Sequence, residues 1–135
     1  MSPTFAELPL RSQTIEALHA HGFLAPFAIQ EMVLPIALAD GDVIGQAKTG
    51  TGKTLAFGIP VIERVIAPND AEWAEFANKG LPQVLIVVPT RELCTQVTRD
   101  IEELASNRGI RTVAVYGGRA FEPQIEALNA GVEIV

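Results

Sequence analysis

Residues 47–54, Ala47-Lys48-Thr49-Gly50-Thr51-Gly52-Lys53-Thr54, decide how the rest of this chain is read. The apolar pair Val43-Ile44 before them can end a strand, and Leu55-Ala56-Phe57 after them can open a helix. A strand, a glycine-rich turn and a helix beginning with Lys-Thr make a phosphate cradle. Backbone N–H groups converge on the anion, and the helix N-terminus adds its partial positive charge. Gly50 and Gly52 let the backbone come close to phosphate in left-handed conformations without a Cβ clash. Lys53 is placed to reach the β- and γ-phosphates, and the Thr54 hydroxyl to coordinate Mg²⁺, which makes both candidate catalytic residues. The strict pattern asks for glycine at position 47, where this chain has alanine; positions 52, 53 and 54 match. A glycine turn that only caps a helix is the alternative. The strand before the turn and the Lys-Thr after it favour a nucleoside-triphosphate site.

Composition narrows the rest. At 135 residues with 48% hydrophobic content, the chain suits one domain with a real core. No apolar run approaches the roughly 20 residues of a membrane span. Met1-Ser2-Pro3-Thr4 lacks the basic and apolar pattern of a signal peptide. A single cysteine, Cys94, excludes an internal disulfide and fits a reducing interior, so a cytoplasmic location is expected. Net charge is −6 and the pI about 4.8, whereas domains that hold nucleic acid by bulk electrostatics usually have pI above roughly 9. Any nucleic-acid contact is expected to come from a few placed groups or from parts outside these 135 residues.

Taken in order, residues 5–22 read as a short amphipathic helix with a lead-in. Leu8, Ile15 and Leu18 share a face, Ser12 is a candidate N-cap, and Gly22 lies just past the end. His19 and His21 complement the dipole at that end; two residues apart, they do not share a face, so a metal site is rejected. A second helix is expected from Ala28 to about Ala39, kinked at Pro35 and stopped by Gly41. Asp42-Val43-Ile44-Gly45-Gln46 is the strand feeding the phosphate loop. After the loop, Leu55, Ile59, Ile62 and Ile66 recur at helical spacing, with a bend at Pro60. Residues 67–82 read as a surface excursion with one helical turn pairing Trp73 and Phe76, aromatics that pack the excursion on its own domain or, as the alternative, dock a partner.

Val84-Leu85-Ile86-Val87-Val88 is apolar throughout, as in a strand covered on both faces. Thr90 can cap the next helix, whose stripe is Leu93, Cys94, Val97, Ile101, Leu104 and Ala105, with Cys94 read as a small buried hydrophobe. Residues 112–116 form a third strand ending at Gly117-Gly118. Ile125 and Leu128 mark a short helix, and residues 132–135 begin a fourth strand, inside which the chain stops. The alternation gives an α/β parallel sheet, and the apolar end is expected of a cut chain.

Together the motifs resemble the N-terminal part of a DEAD-box RNA helicase, over essentially the whole chain. Phe5, 17 residues before Gly22, with Gly22-Phe23, Pro26 and Ile29-Gln30, is similar to the family's Q motif. Residues 47–54 resemble its motif I, in which alanine at position 47 is normal. Pro89-Thr90-Arg91-Glu92-Leu93-Cys94-Thr95-Gln96 resembles motif Ia, and Gly117-Gly118 the GG motif. Each string is short; four in order at the right spacing are specific. The implied fold is an incomplete RecA-like P-loop domain, a parallel sheet flanked by helices, with a Q-motif segment at 1–31 and the ATP-binding part at 32–135.

The resemblance implies ATP and Mg²⁺ as cofactors and RNA as partner. Gln30 then reads the adenine edge, for which an amide with a donor and an acceptor is suited. Phe23 offers an aromatic face to the base, and Phe5 helps to fix the segment; by residue type alone these three are ordinary helix and core residues. Pro89, Thr90 and Arg91 would hold an RNA phosphate, the alternative for Arg91 being a local carboxylate. At Gly117 and Gly118 a bare backbone could approach ribose or phosphate, or simply turn tightly. Such contacts position RNA without reading its sequence. The acidic box, the Ser-Ala-Thr motif and a second RecA-like domain would follow Val135. The first two lie on strands between those of motifs I and Ia, so a gap in the sheet, marginal stability and no appreciable turnover are expected of these 135 residues alone. Two rivals stay open: another P-loop enzyme such as a GTPase, nucleotide kinase or DNA helicase, or a module that binds nucleotide or RNA and turns nothing over.

Overall fold

The computed structural model describes residues 3–135; Met1 and Ser2, part of the N-terminal reading above, lie outside the described residues. The chain forms two compact units, Met1–Arg64 and Val65–Val135.

The first unit holds three α-helices: α1 (Ser12–Ala20), α2 (Ala28–Leu38) and α3 (Lys53–Arg64). Before them, Phe5–Glu7 form a 3₁₀ turn, with Phe5 fully buried and its N–H donated to the Leu24 carbonyl. Helix α1 ends as Gly22 implies. Gly22 takes φ +81°, its N–H bonds the His19 carbonyl, and Phe23 N–H bonds the Leu18 carbonyl, satisfying two last-turn acceptors. His21 Nδ1 meets the Ala17 carbonyl at 2.8 Å. The start of α1 differs from expectation. Arg11, not Ser12, is the N-cap residue, and the Ser12 hydroxyl bonds Gln13. Glu63 of α3 does the capping, accepting from Arg11 N–H at 3.2 Å and from the Thr14 hydroxyl. A carboxylate there meets both the free N–H groups and the positive end of the dipole.

Helices α2 and α3 contain Pro35 and Pro60 and run through them. Gly41 is not the left-handed residue that ends α2; Asp40 is, at φ +64°. Gly41 is needed for another reason. Its N–H bonds the Ile36 carbonyl, and an added Cβ would lie 2.7 Å from Ile36 Cγ2. Arg64 Nη2 holds this corner from α3, meeting the Asp40 carboxylate at 3.0 Å and the Ala37 carbonyl at 2.9 Å. Leu55, Ile59 and Ile62 are buried as their spacing predicts; Ile66 falls beyond the helix and is half-buried.

The second unit is built on α4 (Arg91–Ala105), with α5 (Phe121–Ala130) following. Thr90 caps α4 as expected, its hydroxyl accepting from Leu93 N–H at 3.2 Å. Val97, Ile101, Leu104 and Ala105 are buried, while Leu93 and Cys94 are half-buried. Residues 67–82 carry the expected turn, Ala71–Glu75, with the Trp73 and Phe76 rings 6.0 Å apart. Both ends of that excursion are tied down. The Gln83 amide bonds the N–H and carbonyl of Ile66, each at 2.9 Å, and buried Arg108 meets buried Asp70 at 2.5 Å.

The sheet is sketched rather than built. Parallel bridges join Val84 to Ile134 and Ile134 to Thr112, so the run before Val135 lies between the other two. Among the described residues no longer ladder forms, and the run 42–46 has no strand partner; Ile44 is fully exposed. Residues 84–88 alternate instead of being covered on both faces, with Leu85 73% and Val87 82% exposed. A run reads as doubly covered only where a second layer reaches it. Val135 is the last residue in the pairing, its N–H on the Val84 carbonyl; a cleft of about 450 Å³ is lined by Val87, Cys94, Ile101, Val115 and Val135. Likewise Ile125 and Leu128, read as the mark of a helix, do lie on α5 but are exposed, as is Phe121. Glu133, inside an apolar string, is buried against Arg111, which grips it through Nη2 at 2.5 Å and Nε at 3.2 Å. That bond raises the Arg111 pKa above its ordinary value, against a smaller opposing effect of burial.

Candidate nucleotide and phosphate site

In the first unit, residues 47–54 close into a tight turn that enters α3. Gly50 and Gly52 have φ +80° and +84°, the region only glycine enters freely. The Thr51 hydroxyl donates to the Lys48 carbonyl at 2.5 Å, and Lys53 Nζ donates to the Ala47 carbonyl at 2.7 Å. Lys53 thus folds back across the turn, and its ammonium stands over the loop backbone. Thr54, the second residue of α3, is half-buried, and its hydroxyl has no hydrogen-bond partner among the described residues. Lys48 and Thr49 complete the turn on the Ala47 side. A cradle with two left-handed glycines, a lysine arching over it and an uncommitted hydroxyl at the helix start fits a polyphosphate with its cation.

Gln30 joins this loop to the segment before it. It is 1% exposed; its Oε1 accepts from Phe27 N–H at 2.9 Å and its Nε2 donates to the Gly52 carbonyl at 3.0 Å. The first contact is half of a capping box, the glutamine three residues into α2 returning to the N-cap N–H. The second reaches 22 positions along the chain. Contact is so close that a Cβ on Gly52 would lie 2.4 Å from Nε2 and 2.7 Å from Phe27 Cδ2. Each amide atom retains a second bonding direction. Phe23 is 36% exposed, whereas Phe5 is wholly buried and acts as an anchor. Phe27, exposed at the N-cap of α2 and against the loop, is a residue that the sequence reading passed over. Its only advance signal was its place three residues before Gln30.

In the second unit the other predicted residues meet. Thr90 and Arg91 start α4, and Arg91 Nη1 lies 3.5 Å from the Gly117 carbonyl. Gly118, at φ +78°, is so close to the same guanidinium that a Cβ would sit 2.7 Å from Nη1. Arg91 has no carboxylate within 4.0 Å among the described residues, so the local ion pair weighed as its alternative does not form. Pro89 precedes them, exposed. Among the described residues no cluster of metal-ligating side chains occurs, and no helix is long and apolar enough to cross a membrane.

Comparison with known proteins gives a consistent answer. The family model described as DEAD/DEAH box helicase matches residues 27–135. The chain is 39% identical over 132 residues to the DEAD-box ATP-dependent RNA helicase CshA of Geobacillus kaustophilus, covering 98% of this chain and 26% of that protein. Among solved structures, a DEAD box protein from the hyperthermophile Methanococcus jannaschii matches with TM-score 0.84 and 36% identity, over all of this chain and 35% of that one. The RNA helicase Prp28 of Chaetomium thermophilum, bound to ADP, matches with TM-score 0.82 and 35% identity, over 96% of this chain and 30% of that one. This chain therefore spans about a quarter of its curated relative's length. These likenesses support a RecA-like P-loop fold of which the helices and the three bridged segments are part.

Proposed function

Because this chain belongs to the DEAD/DEAH box helicase family, we propose that it supplies the adenine-nucleotide site and part of the RNA-binding surface of an ATP-dependent RNA helicase. One observation carries the reading: the Gln30 amide physically joins the segment resembling the Q motif to Gly52 of the phosphate loop. A base-reading group and a phosphate-reading loop that share a hydrogen bond can report on one ligand. The ADP in Prp28 and the ATP dependence of CshA are consistent with that ligand.

In this reading residues 47–54 wrap the phosphates, Lys53 turns from the Ala47 carbonyl to the β- and γ-phosphates, and the Thr54 hydroxyl takes Mg²⁺. The cation neutralises charge on the phosphate oxygens when bound. Gln30 uses its remaining donor and acceptor directions on adenine, with Phe23 against the base and Phe5 anchoring the segment. Pro89, Thr90, Arg91, Gly117 and Gly118 hold the RNA backbone, without base specificity. Residues 1–31 and 32–135 divide these tasks as motif segment and ATP-binding part. ATP turnover and unwinding of short duplexes belong to the whole protein, where an acidic box and a second RecA-like domain complete the site. The single cysteine of these 135 residues is consistent with a cytoplasmic setting.

Calorimetric titration of the whole protein with ADP and with GDP tests this reading, repeated on Gln30→Ala. Tight ADP binding, weak GDP binding and loss of that preference in the variant are expected. Equal affinity for both would remove the adenine reading of Gln30 and leave the phosphate cradle standing.

A further inference from the structure

The turn that carries Gly117 and Gly118 holds more unneutralised charge than its folding needs. Its next residue, Arg119, is exposed, and its guanidinium carbon stands 5.6 Å from the centre of the Tyr116 ring. That is cation–π distance, so the guanidinium is drawn to the ring face while its N–H groups have no hydrogen-bond partner among the described residues. Among the described residues neither Arg91 nor Arg119 has a carboxylate within 4.0 Å, although Glu92 and Glu122 are near neighbours in sequence. Arg64, Arg108 and Arg111, by contrast, are each ion-paired. Arg99 has no ion pair either but stands beside Asp100; in a chain of net charge −6, two such guanidiniums meet at one dipeptide only here among the described residues.

The turn beneath them is braced. Gln124 of α5 is 4% exposed; its Oε1 accepts from Tyr116 N–H at 3.2 Å and its Nε2 donates to the Ala120 carbonyl at 3.0 Å. One buried amide thus clamps both ends of the span 116–120. Arg91 lies on the span at Gly118, and Arg119 leaves it toward Tyr116.

We propose that Arg119, seated on Tyr116, is a further RNA-backbone ligand: with Arg91 it holds phosphates of a single RNA strand at the Gly117–Gly118 turn, and Gln124 is the positioning residue that sets the turn. The proposal rests on the RNA reading given above and extends it to residues outside the four motifs. Planar guanidinium is the side chain suited to phosphate oxygens, and bracing one face leaves less freedom to lose on binding. A guanidinium that served only to pack on Tyr116 would carry no counterion signature.

The test is binding of a fluorescein-labelled oligouridylate of about ten nucleotides to the whole protein with an ATP analogue, across about 50–200 mM KCl. Arg119→Gln is expected to weaken binding several-fold and to reduce the salt slope by about 0.7, the value for one single-strand phosphate contact. Arg119→Lys keeps the charge and should keep the slope. Tyr116→Leu and Gln124→Leu should weaken binding with the slope intact, since they misplace the cation without removing it. ADP affinity, unchanged in each, verifies folding. If Arg91→Gln loses slope and Arg119→Gln does not, Arg119 is no phosphate ligand and the proposal falls while the RNA reading stands. If the unsubstituted protein does not bind the oligonucleotide, both fall together.

Discussion

Two glycine turns in this chain are held by the same device and serve different ends. At Gly52 and at Gly118 the backbone is left-handed, and each turn is tied by a buried glutamine from a helix, Gln30 of α2 and Gln124 of α5. A glutamine amide suits the task because it bonds an N–H and a carbonyl at once. The difference lies in what sits against the glycine. Gly52 touches the Gln30 amide itself, neutral and buried, so charge must come from Lys53 and the backbone. Gly118 touches the exposed Arg91 guanidinium. The first turn is backed by a buried neutral amide and the second by an exposed cation. Under the proposed function that contrast suits a nucleotide held by backbone and Lys53 against a polymer laid across a surface.

The largest effect should separate the turns most sharply. Gly52→Ala forces a strained φ and a clash with two side chains at once. A strain of roughly 1–3 kcal/mol predicts ADP binding weakened by about ten- to a hundredfold in titration calorimetry. Gly118→Ala meets only the mobile end of Arg91, so ADP affinity should not change and the urea midpoint should fall by an amount equivalent to about 1–2 kcal/mol. Equal damage to ADP binding by both would erase the distinction. Next, Gln30→Ala removes the partner of Phe27 N–H and loosens the Gly52 carbonyl, which keeps Ala56 N–H, while Gln124→Ala removes the partner of Tyr116 N–H; each should cost roughly 1–3 kcal/mol of stability in urea unfolding. Only the first should also impair nucleotide binding.

A smaller loss, about 1 kcal/mol in the same assay, is expected for Glu63→Ala, which uncaps α1. The smallest effect concerns α4, which carries Arg91. Burial, and then Glu103, raise the Asp100 pKa, with Arg99 opposing. A raised carboxyl pKa contributes stability below the unfolded value and loses it as pH rises through the folded one. Asp100 is largely solvated and its charge screened, so Asp100→Asn should stabilise only slightly at neutral pH, by no more than about 0.5 kcal/mol. The gain should vanish below about pH 4; a constant gain across pH would reject burial of the charge as its source.

Much of the site could be read in advance because its signals are local. Gly22, the 47–54 turn and the Thr90 cap each act within a few residues, so their chemistry is written in adjacent letters. The helix on residues 91–105 followed from a stripe that packing then used. Other features depend on partners far along the chain. Glu63 caps α1 across 49–52 positions, displacing the nearby Ser12. Asp40 rather than Gly41 takes the left-handed position, held by Arg64. Glu133 is buried inside an apolar string because Arg111 is there to meet it. Composition and spacing by themselves determined the glycine turn at 47–54, the Gly22 and Thr90 helix ends and the order of motifs, since these depend on backbone conformations that a few neighbouring residues fix. Which faces were covered, how Gln30 meets Gly52 and how Arg91 meets Gly118 were decided by tertiary structure, because each contact needs two distant segments brought within hydrogen-bonding reach.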